Sequence, residues 1–220
     1  MNKKAVYWLV GLVALFAGAL IVSNIIAGKL WQAPFGIVLT CGVFLFPVVY
    51  IIGDVVPEVF GLQVARRMIW MGFFVNAVAV AFFMLTLIAT PPVFWSNQEA
   101  FQAVLGFTPR LLGASFVAYL VGTNVNAWVL VAIKKLTGEK WYPIRTIGST
   151  IVGESVDSLI FITLAFAGTM PWPAIFSMIL AQACFKILYE AAATPLTVLV
   201  TRWVKRKVGY DAKTGTLGLM

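Results

Sequence analysis

Apolar residues fill six stretches of the chain, at roughly 5 to 27, 36 to 58, 68 to 90, 111 to 133, 147 to 169 and 174 to 202, with polar residues, glycine and proline gathered between them. Each stretch is long enough for a helix to cross a hydrocarbon layer of about 30 Å. The pattern predicts an all-α polytopic membrane protein of six transmembrane helices, forming one integral membrane domain over residues 1–220. Lys3 and Lys4 ahead of the first stretch resemble the start of a signal peptide, but the stretch is longer than a signal core and no small-residue cleavage site follows it. It is therefore expected to stay as the first helix. Pro91 and Pro92 stop the third span, and the connection 93–110 that follows is the longest. Phe101, Val104 and Leu105 share a face there, so an amphipathic segment is expected that lies on the outer surface or caps a cavity.

Polar positions inside the spans are few and regularly spaced. In the fifth span, Gly153 to Ser158 reads Gly-Glu-Ser-Val-Asp-Ser. An acid at mid-bilayer costs about 2.5 to 3.5 kcal/mol, and each Leu, Ile, Val or Phe returns only about 0.3 to 0.6. The apolar neighbours barely offset Glu154 and Asp157, so these acids need partners or water. Helical spacing puts Thr150, Glu154, Asp157, Ser158 and Phe161 on one face. In the second span Tyr50, Asp54 and Glu58 recur every four residues with Pro57 between the acids. Proline removes the bond to the Gly53 carbonyl, so a kinked or broken helix is expected there; the alternative is that Pro57 ends the helix and leaves Glu58 in water. The sixth span carries Gln182, Lys186, Tyr189, Glu190 and Thr194 on one face, followed by Pro195. Lys186 is the natural partner for the fifth-span acids, with a local Lys186–Glu190 pair as the alternative. The fourth span has a stripe of Ser115, Tyr119, Gly122 and Asn126, which also suits close helix packing. Asn76 in the third span fits interhelical bonding, and Lys29 after the first fits an interface anchor or a ligand contact.

Charge follows the same layout. The chain is 61% hydrophobic and 11% charged, too little charge for a soluble surface. Its net +8 is read by position, not as a sign of nucleic-acid binding. Lys3 and Lys4, Arg66 and Arg67, the Lys134 to Arg145 loop, and Arg202 with Lys205 to Lys207 all fall on one side of the six spans. Basic residues in short loops mark the cytoplasmic side, so both termini are expected there. Trp31, Trp95 and Trp172 then sit at the outer boundary and Trp8, Trp70, Trp141 and Trp203 at the inner one, with Trp128 deeper in its span. There is no histidine, and Cys41 and Cys184 lie in apolar runs, which leaves no zinc site, His-based catalysis or disulfide framework. No cofactor, metal or enzymatic role is expected, because the acids have no nucleophile or base beside them.

One offset of a hundred residues relates two parts of the chain. Ser23-Asn24-Ile25 recurs as Thr123-Asn124-Val125, and Ile51-Ile52-Gly53-Asp54 as Ile151-Val152-Gly153-Glu154. Three spans per half would give a 3+3 inverted repeat, a common transporter plan. The matching acids Asp54 and Glu154 nevertheless come out on the same side, which mirror symmetry does not give.

The run Phe46-Pro47-x-x-Tyr50-Ile51-Ile52-Gly53-Asp54-Val55-x-x-Glu58-Val59-x-Gly61, followed by Ala65-Arg66-Arg67, resembles the signature of the queuosine precursor (vitamin uptake) transporter family. So do Ala114-Ser115 with Ala118-Tyr119, Gly148-Ser149-Thr150 through Gly153-Glu154 to Asp157-Ser158, Gln182 with Phe185-Lys186, and Thr194-Pro195-Leu196. Some members carry Gly-Gln-x-x-Asp where this sequence has Gly122-Thr123-Asn124-Val125-Asn126, so an amide here replaces a carboxylate. The resemblance implies a six-helix carrier in the inner membrane of a bacterium or archaeon, taking up 7-cyano-7-deazaguanine or its aminomethyl relative for tRNA modification. The residues offer suitable chemistry. A guanine-like edge presents two adjacent donors that one carboxylate accepts, from Glu154, Asp157 or Glu190, while Lys186, Gln182 or Asn126 satisfies the ring carbonyl. Tyr50, Tyr119, Tyr189 or Phe161 can stack on a flat ring, and Asp54 completes the candidate set. With no phosphate-binding loop, a secondary carrier is expected; the excess of acids makes the Glu154–Asp157 pair the candidate to carry a proton, with facilitated diffusion as the alternative. A membrane subunit served by a separate ATPase module is the alternative. Partners are the 7-deazapurine substrate and the lipid bilayer, no nucleic acid, with a homodimer left open.

Overall fold

The computed structural model describes residues 3–137, 142–211 and 216–217 of the chain. The tip of the basic loop, 138–141, with its expected anchor Trp141, lies outside the described residues. Among those described, six helices are long and apolar enough to cross a membrane, and the protein is a multi-pass membrane protein. Helix α1 spans Lys3–Ile26. After a hairpin come α2, Phe46–Phe60, and α3, Leu62–Ile88. A short α4, Gln98–Leu105, leads into α5, Thr108–Thr137, then α6, Tyr142–Phe166, and α7, Trp172–Val208. Their outward faces expose Phe74, Phe82, Leu85, Leu180, Leu188 and Leu199, side chains that water would drive inward and lipid does not.

Residues 36–45, expected as the start of the second span, are not α-helical. Strand β1, Leu30–Gln32, pairs antiparallel with β2, Val38–Thr40. The turn between them, Pro34–Gly36, suits its residues: proline pre-sets φ, and Gly36 has φ +76, where a side chain would be strained. Ile37, Val38 and Thr40 are β-branched and favour extended backbone. A 3₁₀ turn, Cys41–Leu45, then feeds α2. With this hairpin and a small pairing of β3, Tyr210–Asp211, with β4, Thr216–Leu217, the all-α expectation is corrected in detail.

Pro57 breaks nothing. It lies inside α2, which continues to Phe60, because a proline this close to a helix end forfeits one backbone bond and the last turn survives. Pro195 likewise sits inside an unbroken α7. The expected connection 60–67 shrinks to one residue, Gly61 at φ +90, so Arg66 and Arg67 stand on the first turns of α3. The long connection after α3 holds α4, none of whose residues is buried, with Phe101 against Trp95.

Two packing regions define the ends of the bundle. At one end Ala27, Leu111, Ala114, Ile162, Ala165, Phe166, Ile175 and Met178 form a core against which Val38 of the hairpin packs; this is the hairpin end. At the other, Ala5 packs with Val55, Val59, Val204 and Val208, and Trp8 meets Trp203 edge to face at 4.9 Å between ring centroids. Both α1 and α7 reach this terminal end. Helix α7 has 37 residues, about 55 Å at 1.5 Å per residue, so its last turns, with Arg202, Lys205, Arg206 and Lys207, extend past a hydrocarbon layer of about 30 Å.

Candidate functional site

Midway between the two ends, α2, α6 and α7 bring their charged faces together around Lys186. Its residue is 6% exposed. The ammonium lies 3.2 Å from Glu154 Oε2 and also donates to Asp157 Oδ2. Tyr50 donates its hydroxyl proton to Glu154 Oε2 at 3.0 Å, and the Phe46 ring lies 5.3 Å from the ammonium, within cation–π reach. The spacing explains the convergence: Glu154 and Asp157 are three apart on α6, and Phe46 and Tyr50 four apart on α2, so each pair shares a face. Lys186 turns to α6 and not to Glu190 on its own helix, the local alternative weighed from the sequence. Two carboxylates share one ammonium, so the group is one negative charge in excess when all three are ionised.

The candidates on α7 extend this group along the bundle. One turn toward the hairpin end, Gln182 is 1% exposed, and its Oε1 accepts the Thr40 hydroxyl at 3.4 Å. One turn toward the terminal end, Glu190 lies within electrostatic reach of both Glu154 and Asp54. Tyr189 meets Tyr50 edge to face at 6.3 Å and stacks on Phe185 at 6.3 Å, while Phe185 also meets Phe46 at 6.5 Å. Four rings therefore border the charged group.

Other candidates fall elsewhere. Tyr119 turns away from α6 toward α3, its ring 5.7 Å from Phe73, in a crevice shared with Arg66, Trp70 and Phe116. Phe161, one turn from Asp157, packs on the hairpin-end core. Asn126 lies across the α5–α6 contact, with its buried Oδ1 unpartnered among the described residues, as is the Ser158 hydroxyl. Glu58 leaves the interior altogether: its side chain is 62% exposed and pairs with Lys205 at 2.6 Å, although Pro57 does not end the helix, which runs on to Phe60. Lys29 is exposed near the hairpin. Thr40, Phe46 and Phe185 were missed. The rings had a signal in their spacing, since each stands four residues before a candidate tyrosine, but Thr40 sat unmarked in an apolar run.

Close approach of α5 and α6 holds the acids in place. A Cβ on Gly122 would come 2.9 Å from Asp157 Cβ, and one on Gly153 would come 2.7 Å from Asn126 Cβ. Both neighbours are at the root of a side chain and cannot swing aside. Gly153→Ala is therefore expected to destabilise the purified protein by about 1–3 kcal/mol, the usual cost of overpacking, read as a lower midpoint of thermal unfolding in detergent; an unchanged midpoint would show that the contact gives way freely.

The arrangement sets carboxylates, which accept hydrogen bonds, beside an ammonium and an amide, which donate them, with aromatic rings at the border. A family model described as "Putative vitamin uptake transporter" matches residues 40–200. The chain is 27% identical over 194 residues to the "Queuosine precursor transporter" of Escherichia coli (strain K12), covering 84% of this chain and 80% of that protein. It is 28% identical over 138 residues to the "Probable queuosine precursor transporter" of Bacillus subtilis (strain 168), covering 62% and 60%. A protein of the same description from Haemophilus influenzae is 27% identical over 130 residues, covering 58% and 52%. The matches thus span less than two thirds of the latter two relatives. No solved structure matches the chain.

Proposed function

The chain belongs to the vitamin uptake transporter family, and from that premise we propose that it carries a queuosine precursor, 7-cyano-7-deazaguanine or its aminomethyl relative, into the cell as a secondary carrier. The observation that supports this most is the buried group of Lys186, Glu154, Asp157 and Tyr50, contributed by three helices at mid-depth. Intramembrane ions of this kind mark ligand and ion pathways. In the proposed complex Glu154 or Asp157 accepts the ring N–H and exocyclic amine of the deazaguanine. Lys186 or Gln182 donates to its carbonyl, and Tyr50 and Tyr189 flank the ring plane.

Orientation and plan belong to the same proposal. The terminal end, with Lys205 and Arg66 near it, faces the cytoplasm by the distribution of basic residues, and the hairpin end faces outward. The membrane is the inner membrane of a bacterium or archaeon. In this proposal α1–α3 and α5–α7 form a 3+3 inverted repeat, supported by the hundred-residue correspondence of α1 with α5 and of α2 with α6, helices that run in opposite directions.

Purified chain reconstituted alone in liposomes is expected to take up labelled 7-cyano-7-deazaguanine. Uptake that appears only when an ATPase module is added would replace the carrier with the membrane-subunit alternative.

A further inference from the structure

Exposure around the site runs one way. Thr40 and Gln182 are 1% exposed and Lys186 is 6%, while the Asp157 and Glu154 side chains expose 20% and 22% and Asp54 is exposed. A bare Asp54 facing lipid would be costly, so that end of the interior is wet. The other end is shut by the hairpin and the turn after it: Leu39 and Thr40 of the hairpin and Cys41 and Val43 of the 3₁₀ turn are buried, and Val38 packs into the hairpin-end core.

We propose that the hairpin 30–40 is the outer gate of the transport path, and that Thr40 is a wall residue of the binding chamber, seated on Gln182 one turn from Lys186. The proposal rests on the transport reading above. Three features carry it. The first is chemical: an apolar side chain would fill this buried position, yet the chain places a hydroxyl there whose partner is an amide of the site, at a long 3.4 Å. Such a bond contributes little and is easily exchanged for one to a ligand. The second is mechanical. The hairpin is tied into one unit by its own backbone bonds, Ala33 N–H to Ile37 O at 2.7 Å and Cys41 N–H to Lys29 O at 2.8 Å. It joins α1 through Gly28 and α2 through the 3₁₀ turn Cys41–Leu45, so its joints lie outside the paired strands. The third is placement: the hairpin packs against α7, the helix that carries Gln182, Lys186 and Glu190. Entry from outside then requires Thr40 to part from Gln182, and the state seen is open toward the terminal end.

The test uses the full chain with Cys41→Ala and Cys184→Ala, carrying Thr40→Cys, in sealed vesicles with the hairpin end outward. A membrane-impermeant methanethiosulfonate is added outside, with and without saturating 7-cyano-7-deazaguanine. Labelling from outside during turnover, with loss of uptake, is expected; Ile37→Cys, on the exposed part of the hairpin, is expected to label and keep its uptake. A Thr40→Cys protein that stays unlabelled through many turnovers, or transports at full rate once labelled, overturns the gate. Thr40→Val keeps the shape and removes the hydroxyl, and covers the case in which the cysteine variant fails to insert. Its half-saturating ligand concentration is expected to rise about threefold to tenfold, the scale of one hydrogen bond. An unchanged value overturns the wall assignment. If the unsubstituted chain shows no uptake at all, it is the transport reading that fails.

Discussion

Uptake by proteoliposomes is expected to fall at least about a hundredfold when Lys186 is replaced by methionine, while the amount of inserted protein stays the same. Removing one partner of a buried ion pair costs about 3–5 kcal/mol, and each 1.4 kcal/mol is about tenfold in an equilibrium. The size follows from what is left behind. Without the ammonium, Glu154 and Asp157 stand three residues apart on one helix face, both largely out of water, with only the Tyr50 hydroxyl to share between them. Methionine matches the length and apolar body of the lysine stem, so insertion has no reason to suffer. Glu154→Gln is expected to abolish uptake by a different route: the Lys186–Asp157 pair survives, but the charged acceptor for the substrate donors is gone. Wild-type rates in both variants would place the binding site elsewhere.

What the sequence made legible was whatever depends on period and length. Six apolar runs specify six spans because a helix must bring its own backbone bonds into lipid, and Glu154, Asp157 and Lys186 could be matched because buried charges must find each other. The hairpin was hidden by the same logic. Residues 36–45 are as apolar as a span, and hydropathy does not distinguish an apolar strand and 3₁₀ turn packed on helices from the start of one; the Pro34-Phe35-Gly36 turn was the available clue. Phe161 shares a helix face with Asp157, and Tyr119 shares one with Asn126 on α5, yet a face is wide and neighbouring helices divide it: α3 takes Tyr119 and the hairpin-end core takes Phe161. The fate of Glu58 was set by Lys205, 147 residues away, a distance that no local pattern spans.

The second large effect concerns the energy source. Among the described interior residues, Glu154, Asp157 and Glu190 face Lys186 alone, since Lys205 is engaged with Glu58 at the surface and Asp54 is exposed. Three carboxylates against one ammonium would leave two uncompensated charges, and in a poorly polarisable interior such charges must be relieved by protons, cations or the ligand. Glu154 and Asp157 are placed to do this in a cycle. When a ligand takes one carboxylate, Lys186 can neutralise only the other, and a proton gained from one side and lost to the other completes the balance. An alkaline interior draws protons inward, so it should drive ligand inward with them. With external pH fixed, sodium absent and ligand equal, liposomes with an alkaline interior are expected to show faster initial uptake than pH-matched liposomes and to accumulate 7-cyano-7-deazaguanine above its outside concentration. In Glu154→Gln and Asp157→Asn proteins any residual uptake should no longer respond to the gradient. Equal initial rates and no accumulation in the unsubstituted chain would eliminate proton coupling and leave facilitated diffusion, with the charged group retained as a binding site only.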